Sequence, residues 1–416
     1  MQKIFIIVLV LISCTITSKA QFKKINALFL GNSYTYVNNL PQLIKDIALA
    51  SGDTLVFDSN CLGGYTFHNH FTDVTSLSKI NSQAWDHVVL QAQSQEPSFD
   101  PTQVEIETLP FAIKLDSIIK HNNSCTETIF YETWGRKYGD ASNCASYPPV
   151  CTYLGMQDRL KSSYKLFSDS THATMSPAGE AFRKSIALNP SLELYNADQS
   201  HPSIEGSYLT ACVFYEVLFH KSVLTNTFTA GISATNTAFL QQIAHDVVND
   251  SLNTWNIGTY FPWAPFTSTI INSLNYQFTS ASPALMNKWY FGDGTTNSSA
   301  NPAHIYANSQ SYIVSHVVTN GCNKDSVSID LNTFLSGVEG INSSDIISIY
   351  PNPTSSSINV LANNSIYSYK IFNLFGKLLL SGKASGSIEL VGLANGMYYI
   401  EVQLNNKIHT LKFIKQ

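Results

Sequence analysis

The chain has 416 residues, more than the ~100–200 of one domain, so two or three domains are expected. Hydrophobic residues make up 44% of the chain and charged residues 13%, a balance that favours packed structure over extensive disorder. The formal net charge of −5 lacks the basic footprint of a nucleic-acid-binding protein, so nucleic acid is not expected as a partner.

The N-terminus has the features of an export signal. A lysine precedes the apolar run Ile4–Ile12, and a polar stretch then ends at Ala20. Because the run is much shorter than the ~20 residues that span a bilayer, we expect residues 1–20 to be removed and the mature chain to carry no transmembrane span. An alternative is a lipid anchor at Cys14, since the stretch LISC that ends there resembles a lipobox.

Export permits disulfides, and the chain has seven cysteines. Cys144 and Cys151, in NCASYPPVC, are the best local pair. Cys212 lies in an apolar helical pattern and is expected to be a buried free thiol. No pair of cysteines has metal-ligand spacing, and the sequence predicts no metal site.

From residue 25 to about 254, short apolar runs alternate with longer amphipathic segments. The runs predict five strands: Ala27–Leu30, Thr54–Phe57, His87–Leu90, Thr128–Tyr131 and Leu192–Tyr195. The clearest helices are predicted at Pro41–Ser51, Ser203–His220 and Thr237–Leu252. Strands separated by helices predict a parallel sheet with helices on both faces, in which ligands bind at the carboxyl ends of the strands.

Ser33 follows the first predicted strand, where the chain turns toward a helix. Gly31 permits a tight turn there, and the serine hydroxyl can point into the crevice at the sheet edge. A serine in this position can also cap the next helix, so its position alone does not make it catalytic.

Asp198 and His201 stand three residues apart in YNADQSHPS, after the last predicted strand. A serine is a weak nucleophile until a base takes its proton, and the base needs an acceptor that fixes its tautomer. Together with Ser33 at the other end of the same predicted domain, the pair is predicted to supply base and orienting carboxylate.

Two further segments follow predicted strands. Gly64, in CLGGYTF after the second strand, can bring a backbone N–H close to a substrate oxygen. VVLQAQSQEP, at the third strand, offers the side-chain amides of Gln91, Gln93 and Gln95. An acyl-transfer enzyme needs such donors to stabilise the oxyanion that forms in its transition state.

This order of blocks resembles the SGNH hydrolases, relatives of the GDSL lipases and esterases, over roughly residues 25–255. The resemblance implies a flavodoxin-like sheet and no cofactor. It also implies catalytic roles for residues of this chain, with Ser33 as nucleophile, His201 as general base and Asp198 as its orienter. The implied oxyanion hole combines Ser33, Gly64 and Gln95; Gly63 is an alternative to Gly64.

The chain departs from the family pattern in two blocks. The first has Asn32 where many members have aspartate, a tolerable change because that residue does not react. The third block lacks the usual Gly-x-Asn-Asp, and alignment of the strand ends places Gln95 at the asparagine, on an arm one methylene longer.

Three other residues are predicted to line or support the pocket: Asn32, His70 and Trp134. His68 and His70 form a His-x-His pair, but without a third ligand this is weak grounds for a metal, and we expect none. Trp134 and Arg136, in ETWGRKYGD, follow the fourth predicted strand, where they either reach the cleft or pack a surface loop.

After Trp263 helical periodicity stops and alternating β patterns begin. Residues 265–335 resemble the polycystic kidney disease (PKD) type domain, a small β-sandwich, through the motif FGDG with Pro302, His304 and Tyr306. A linker is predicted at 336–344. Residues 345–416 resemble the C-terminal sorting domain of the type IX secretion system, through SIYPNPTSSSINV and the terminal KFIKQ.

The predicted fold class is therefore α/β for residues 21–264, followed by two small all-β sandwich domains. The sorting-domain resemblance implies the type IX machinery as a partner and a secreted or cell-surface location. The predicted function is a secreted serine esterase that forms an acyl-serine, acting on short acyl (acetyl) esters of extracellular polysaccharides. The alternatives are a lipase or broad acyl esterase, and a non-catalytic glycan-binding or adhesion protein.

Overall fold

The structure is a computed structural model, and it describes residues 22–272, 274–331, 348–350, 354–361, 367–373, 377–384, 387–404 and 407–415. The predicted signal peptide at 1–20, with the alternative anchor Cys14, and the predicted linker at 336–344 lie outside the described residues. The chain divides into two compact units, Met1–Ile329 and Asp330–Gln416.

The first unit is built on a five-stranded parallel sheet with the order β2-β1-β3-β4-β5. Its strands are β1 Lys24–Gly31, β2 Thr54–Cys61, β3 His87–Leu90, β4 Glu127–Tyr131 and β5 Thr174–Ser176. This order is that of the flavodoxin-like doubly wound fold, which confirms the predicted class. The central strands are buried on both sides and read as continuous apolar runs, which is typical of parallel sheets.

Ten helices accompany this sheet in the described part of the first unit: α1 Ser33–Tyr36, α2 Leu40–Ala50, α3 Phe67–Thr72, α4 Val74–Ile80, α5 Pro101–Gln103, α6 Leu109–Asn122, α7 Tyr153–Thr171, α8 Ala178–Leu188, α9 Ile204–Phe219 and α10 Ala234–Asn249. The helices form two groups around the sheet. In the first group α9 packs against α2, α8 and α10, and in the second α6 packs against α3, α4 and α7. α9 is buried along nearly its whole length because neighbouring helices surround it.

The predicted fifth strand is wrong. Leu192–Tyr195 lies in the connection between α8 and α9, where its only β feature is an isolated bridge from Tyr195 to Pro202. The fifth strand is Thr174–Ser176, which pairs with β4 through Ile129 to Tyr131. A strand of three residues is too short to show a hydrophobic pattern. The apolar side chains of Leu194 and Tyr195 pack into the core without forming a strand of the sheet.

A β-sandwich completes the first unit, with sheets β10-β7-β6 and β12-β11-β8-β9. Its strands are β6 Phe266–Asn272, β7 Asn275–Ser280, β8 Met286–Tyr290, β9 Thr296–Asn297, β10 Ala303–Ile305, β11 Ile313–Thr319 and β12 Lys324–Asp330. The FGDG motif forms the turn between β8 and β9. Two of its residues contact His304: the Phe291 ring stacks on the His304 ring, and Asp293 Oδ2 lies 2.8 Å from His304 Nε2. Trp289 and Tyr312 are buried in the sandwich core.

The sandwich is bonded to the amino edge of the parallel sheet. A disulfide joins Cys125, just before β4, to Cys322 of the sandwich. Asp325 of β12 accepts hydrogen bonds from Lys23 Nζ (3.0 Å) and from Ala264 N (2.9 Å). Because the candidate catalytic residues follow the carboxyl ends of strands, these bonds lie at the opposite edge of the sheet from them.

The second unit contains two antiparallel sheets, with orders β13-β14-β17 and β16-β15-β18-β19. Its strands are β13 Ser348–Tyr350, β14 Ser357–Leu361, β15 Tyr367–Asn373, β16 Leu378–Ala384, β17 Ser387–Glu389, β18 Gly396–Leu404 and β19 Lys407–Lys415. Their inner faces share one apolar core that includes Ile371, Ile400 and Phe413. Within the described ranges, no helix of either unit is long and apolar enough to cross a membrane.

Candidate active site

Ser33 begins α1 directly after β1, at the carboxyl edge of the sheet. The turn depends on Gly31, because a Cβ there would approach Thr35 Oγ1 to 2.5 Å and Gln91 Oε1 to 2.8 Å. Gly31 therefore allows the β1 end to pack closely against the segment after β3, and Ser33 is left half-buried at the surface of this junction.

Asn32 forms hydrogen bonds to the segments that follow β1, β2 and β3. It is buried, and its Nδ2 donates to the carbonyl oxygens of Tyr65 (2.9 Å) and Ala92 (3.2 Å), which follow β2 and β3. Its Oδ1 accepts from Tyr34 N and so caps α1. An aspartate could cap the helix but has no N–H to give to two carbonyl oxygens, so the amide suits this position. The sequence predicts Asn32 to line or support the pocket, and the structure shows the contacts by which it supports the loops there.

The structure brings Ser33, His201 and Asp198 together, although 168 residues separate the first two. Ser33 Oγ lies 2.8 Å from His201 Nε2. His201 Nδ1 is hydrogen-bonded to Asp198 Oδ2, while Asp198 Oδ1 accepts the backbone N–H groups of Ser200 and His201. In this arrangement Nδ1 carries the imidazole proton and Nε2 faces the serine hydroxyl as an acceptor.

Asp198 is ionised at neutral pH. Burial raises its pKa, but the hydrogen bonds from His201 and from the backbone N–H groups of Ser200 and His201 outweigh burial and lower that pKa below its ordinary value. The carboxylate is about half exposed, so its hydrogen bonds, and not exclusion of solvent, hold it in place.

An aromatic stack supports the loop that carries His201. Tyr34 stacks on Trp134 at 4.9 Å between ring centroids, and Trp134 stacks on Phe182 at 4.0 Å. Tyr34 OH contacts Ser200 Oγ (2.7 Å), and Trp134 Nε1 donates to Ser200 O (3.1 Å). Trp134 is fully buried, so it supports the site from behind and does not line it.

Gly64 lies in the loop between β2 and α3 with a φ of +72°, a conformation that favours glycine. Apart from Gly64 itself and its two chain neighbours, no described residue has an atom within 4 Å of the position where its Cβ would be, so the space beside it is open. Tyr65 O, one residue further on, is an acceptor of the Asn32 amide, which brings this loop next to Ser33. A Cβ at the neighbouring Gly63 would contact only Tyr36 OH, at 3.7 Å.

The three glutamines after β3 have different environments. Gln91 is buried, and its Oε1 accepts from Asn32 N (2.9 Å) and Thr35 Oγ1 (3.1 Å). Gln95 Nε2 donates to Oδ2 of the buried Asp140 at 2.7 Å. Gln93 Oε1 accepts the N–H groups of Gln95 and Glu96, while its Nε2 makes only long contacts of 3.3 and 3.4 Å.

His70 is fully buried behind the turn before Ser33. Its Nε2 donates to Gly31 O (3.0 Å), and Nδ1 lies 2.8 Å from Ser76 Oγ. Burial lowers the pKa of His70 to about 4, so the ring is neutral at pH 7. His70 therefore braces the β1 end and does not line the open pocket.

The other histidine of the pair, His68, packs its ring against Phe111 at 4.4 Å. Arg136 lies on the loop after β4, where its Nη1 is 3.4 Å from Asp140 Oδ1. Across the described residues, no group of three or more His, Cys, Asp or Glu side chains is placed to hold a metal ion.

Two parts of the chain match known families. Residues 348–416 match the Secretion system C-terminal sorting domain, and residues 267–333 match the PKD domain. These matches confirm both predicted resemblances, and the sorting domain indicates export to the cell surface or beyond it. No curated protein matches the chain.

Solved structures similar to this chain include a DUF4886 family protein from Bacteroides uniformis, at 18% identity and a TM-score of 0.47, covering 55% of this chain and 96% of that one. A protein from Slackia heliotrinireducens described as an SGNH hydrolase is 24% identical, with a TM-score of 0.39 and coverages of 46% and 98%. An acetylxylan esterase from Geobacillus stearothermophilus is 15% identical, with a TM-score of 0.33 and coverages of 50% and 97%. These likenesses concern the fold alone.

Proposed function

We propose that the first domain is a serine ester hydrolase with Ser33 as nucleophile, His201 as general base and Asp198 as the residue that orients the base. The observation that carries the proposal is the hydrogen-bonded series from Ser33 Oγ to His201 and on to Asp198, at the carboxyl edge of the sheet. Nucleophile and base lie within hydrogen-bond reach, and a third group orients the base, which is the arrangement that serine catalysis requires.

The reaction proceeds in two halves. His201 Nε2 takes the proton from Ser33 Oγ as that oxygen attacks the ester carbonyl, and the imidazolium then gives the proton to the leaving alkoxide. An acyl-serine remains. His201 next takes a proton from water, whose oxygen attacks the acyl carbon, and the proton passes to Ser33 Oγ as the acid leaves.

The oxyanion hole is assigned to the backbone N–H groups of Ser33 and Gly64 and to one glutamine amide. Gln95, predicted from the sequence, has its amide engaged by Asp140 and would have to use its second N–H. Gln93 is the stronger candidate, because two backbone N–H groups fix its carbonyl while its NH₂ group makes only long contacts. Gln91 is excluded from this role because its side chain is buried as a brace.

For the substrate we infer short acyl esters, such as acetyl esters, of extracellular polysaccharides. Export of the chain, which the sorting domain supports, would bring such an enzyme into contact with extracellular polymers. The open space at Gly64 and the partly exposed side chain of His201 support a shallow site that a polymer can approach. We expect the type IX machinery to be the export partner.

The test uses wild type and Ser33→Ala. Wild type should hydrolyse 4-nitrophenyl acetate faster than 4-nitrophenyl octanoate and should be labelled by a fluorophosphonate at Ser33. The variant should lose both activity and labelling while keeping its melting temperature, because a small half-buried side chain contributes little packing. Full activity in the variant would end the nucleophile assignment, and faster octanoate hydrolysis would favour a lipase. Glycan binding by wild type without any turnover would indicate an adhesion protein.

A further inference from the structure

A cavity of about 300 Å³ lies beside the carboxyl edge of the sheet, and the catalytic proposal makes no use of it. Its walls come from the segment after β3 and from the loop after β4: Phe99, Asp100, Gln103, Asn143, Ser146 and Tyr147. The volume is at the lower end of the range for small-molecule sites, which suits a ligand of one or two sugar units.

The loop that forms one wall is held in a fixed conformation. A disulfide joins Cys144 to Cys151 around it, and Tyr147 N donates to Asn143 O at 2.9 Å. Asn143 Nδ2 donates to Oδ2 of the buried Asp140 at 2.6 Å. The wall is therefore preorganised, which lowers the entropy lost when a ligand binds.

Asp140 connects this wall to the candidate active site. Its Oδ2, which accepts from Asn143, also accepts from Gln95 Nε2 in the segment that carries the oxyanion candidates. Lys137 N, on the same loop, donates to Gln199 O beside His201 (3.0 Å). The cavity and the candidate catalytic residues thus share supporting loops on one edge of the sheet.

The lining has the chemistry that recognises a neutral sugar. The lining includes the aromatic side chains of Phe99 and Tyr147, a residue type that packs against the apolar C–H side of a pyranose. Gln103 Nε2 donates to Glu107 Oε2 (2.9 Å) and Asn143 Nδ2 donates to Asp140 Oδ2, while the amide oxygens of both residues can accept hydrogen bonds from sugar hydroxyl groups. The Asp100 carboxylate accepts hydrogen bonds from hydroxyls but repels an acidic sugar. No lysine or arginine lines the cavity to pair with a uronate.

We propose that this cavity is a subsite that binds a neutral sugar unit of the esterified polysaccharide and so positions the scissile ester at Ser33. The proposal rests on the proposed esterase function and names the part of the substrate recognised away from the reacting bond. Tyr147, from the loop after β4, and Gln103, from the segment after β3, are its specificity-determining residues.

The experiment compares Tyr147→Ala, Gln103→Ala and the control Thr102→Ala, whose exposed side chain neighbours the cavity without lining it. For each, kcat/KM is measured on acetylated xylan, on acetylated glucomannan and on 4-nitrophenyl acetate. We compare the ratio of kcat/KM on each polymer to kcat/KM on 4-nitrophenyl acetate. In Tyr147→Ala this ratio should fall about tenfold for at least one polymer, because KM for the polymer rises. In Gln103→Ala the ratio should fall less. Tyr147→Phe should restore most of the ratio because it keeps the ring, and Thr102→Ala should not change it.

An unchanged ratio on both polymers in both cavity variants would overturn the subsite. Calorimetry with unesterified xylohexaose and mannohexaose separates this failure from failure of the esterase proposal, since it needs no turnover. Wild type should bind at least one of them, and Tyr147→Ala should bind it about tenfold more weakly. Absence of binding to both would overturn the subsite even in an active esterase, whereas binding without any ester hydrolysis would overturn only the esterase.

Discussion

At the scale of single residues, the oxyanion donor is the point where the chain departs furthest from the motif it resembles. We predict that Gln93→Ala lowers kcat by ~10²–10³ with little change in KM, because a bond to the oxyanion strengthens only as charge develops. Gln95→Ala should instead lower the melting temperature together with the activity, since it leaves buried Asp140 without one of its donors.

Steady-state kinetics and melting curves on the two variants, measured side by side, check this prediction. If Gln93→Ala keeps a near-normal kcat while Gln95→Ala loses kcat without a change in melting temperature, then Gln95 and not Gln93 is the oxyanion donor.

We predict that His70 makes the stability of the fold depend on pH. Burial lowers its folded-state pKa to about 4, below the ~6.5 of an unfolded histidine. Between these values the unfolded chain binds more protons than the folded chain, so the free energy of unfolding decreases as pH falls through this window. His70 should contribute a loss of about 2 kcal/mol between pH 7 and pH 5.

The measurement is urea unfolding of wild type and His70→Gln at both pH values. The variant should be less stable at pH 7, because the bond to Gly31 O is altered, but should lose less stability on acidification. Parallel losses in the two proteins would show that other groups cause the dependence.

At the scale of elements, the base is carried by an irregular connection and not by a helix or strand. Trp134→Phe should keep a ring in the stack but leave Ser200 O without its donor. We expect kcat to fall about tenfold or more, because a small displacement of His201 disturbs its alignment with Ser33.

Tyr34→Phe is the matched control for this change. It removes a hydroxyl contact to the Ser200 side chain and leaves the backbone carbonyl bonded, so its effect should be smaller. The comparison is of kcat on 4-nitrophenyl acetate, and a larger loss in Tyr34→Phe would contradict the assigned role of Trp134.

At the scale of the whole molecule, the sandwich of the first unit is cross-linked to the α/β domain. The Cys125–Cys322 disulfide spans 197 residues of sequence, and closing so long a loop restricts the unfolded chain strongly. Replacing both cysteines by serine should lower the free energy of unfolding by roughly 2–5 kcal/mol while leaving kcat on 4-nitrophenyl acetate unchanged. The reason is that this bond lies at the opposite sheet edge from Ser33.

The Cys144–Cys151 disulfide provides the comparison, since it closes a separation of only 7 residues and should contribute less. Thermal and urea unfolding of the two double variants checks the order. A larger loss from the short loop would mean that native contacts, and not chain entropy, dominate.

The sequence by itself determined the α/β class, four of the five strands and the proximity of Cys144 to Cys151, because hydrophobic periodicity and short loops are local properties. It also led to Ser33, Asp198 and His201 as candidates, through motifs that each lie within a few residues. The fifth strand could not be predicted, since three buried residues, Thr174–Ser176, carry no period.

Only the tertiary structure decided which groups meet. The Asn32 bonds to Tyr65 and Ala92, the His70 bond to Gly31 and the disulfide from Cys125 to Cys322 all join positions far apart in the chain. The distinction among Gln91, Gln93 and Gln95 likewise depends on partners such as Asp140, which another strand end supplies. Local sequence sets propensity and pattern, whereas the packing of loops at one sheet edge sets the direction of each side chain.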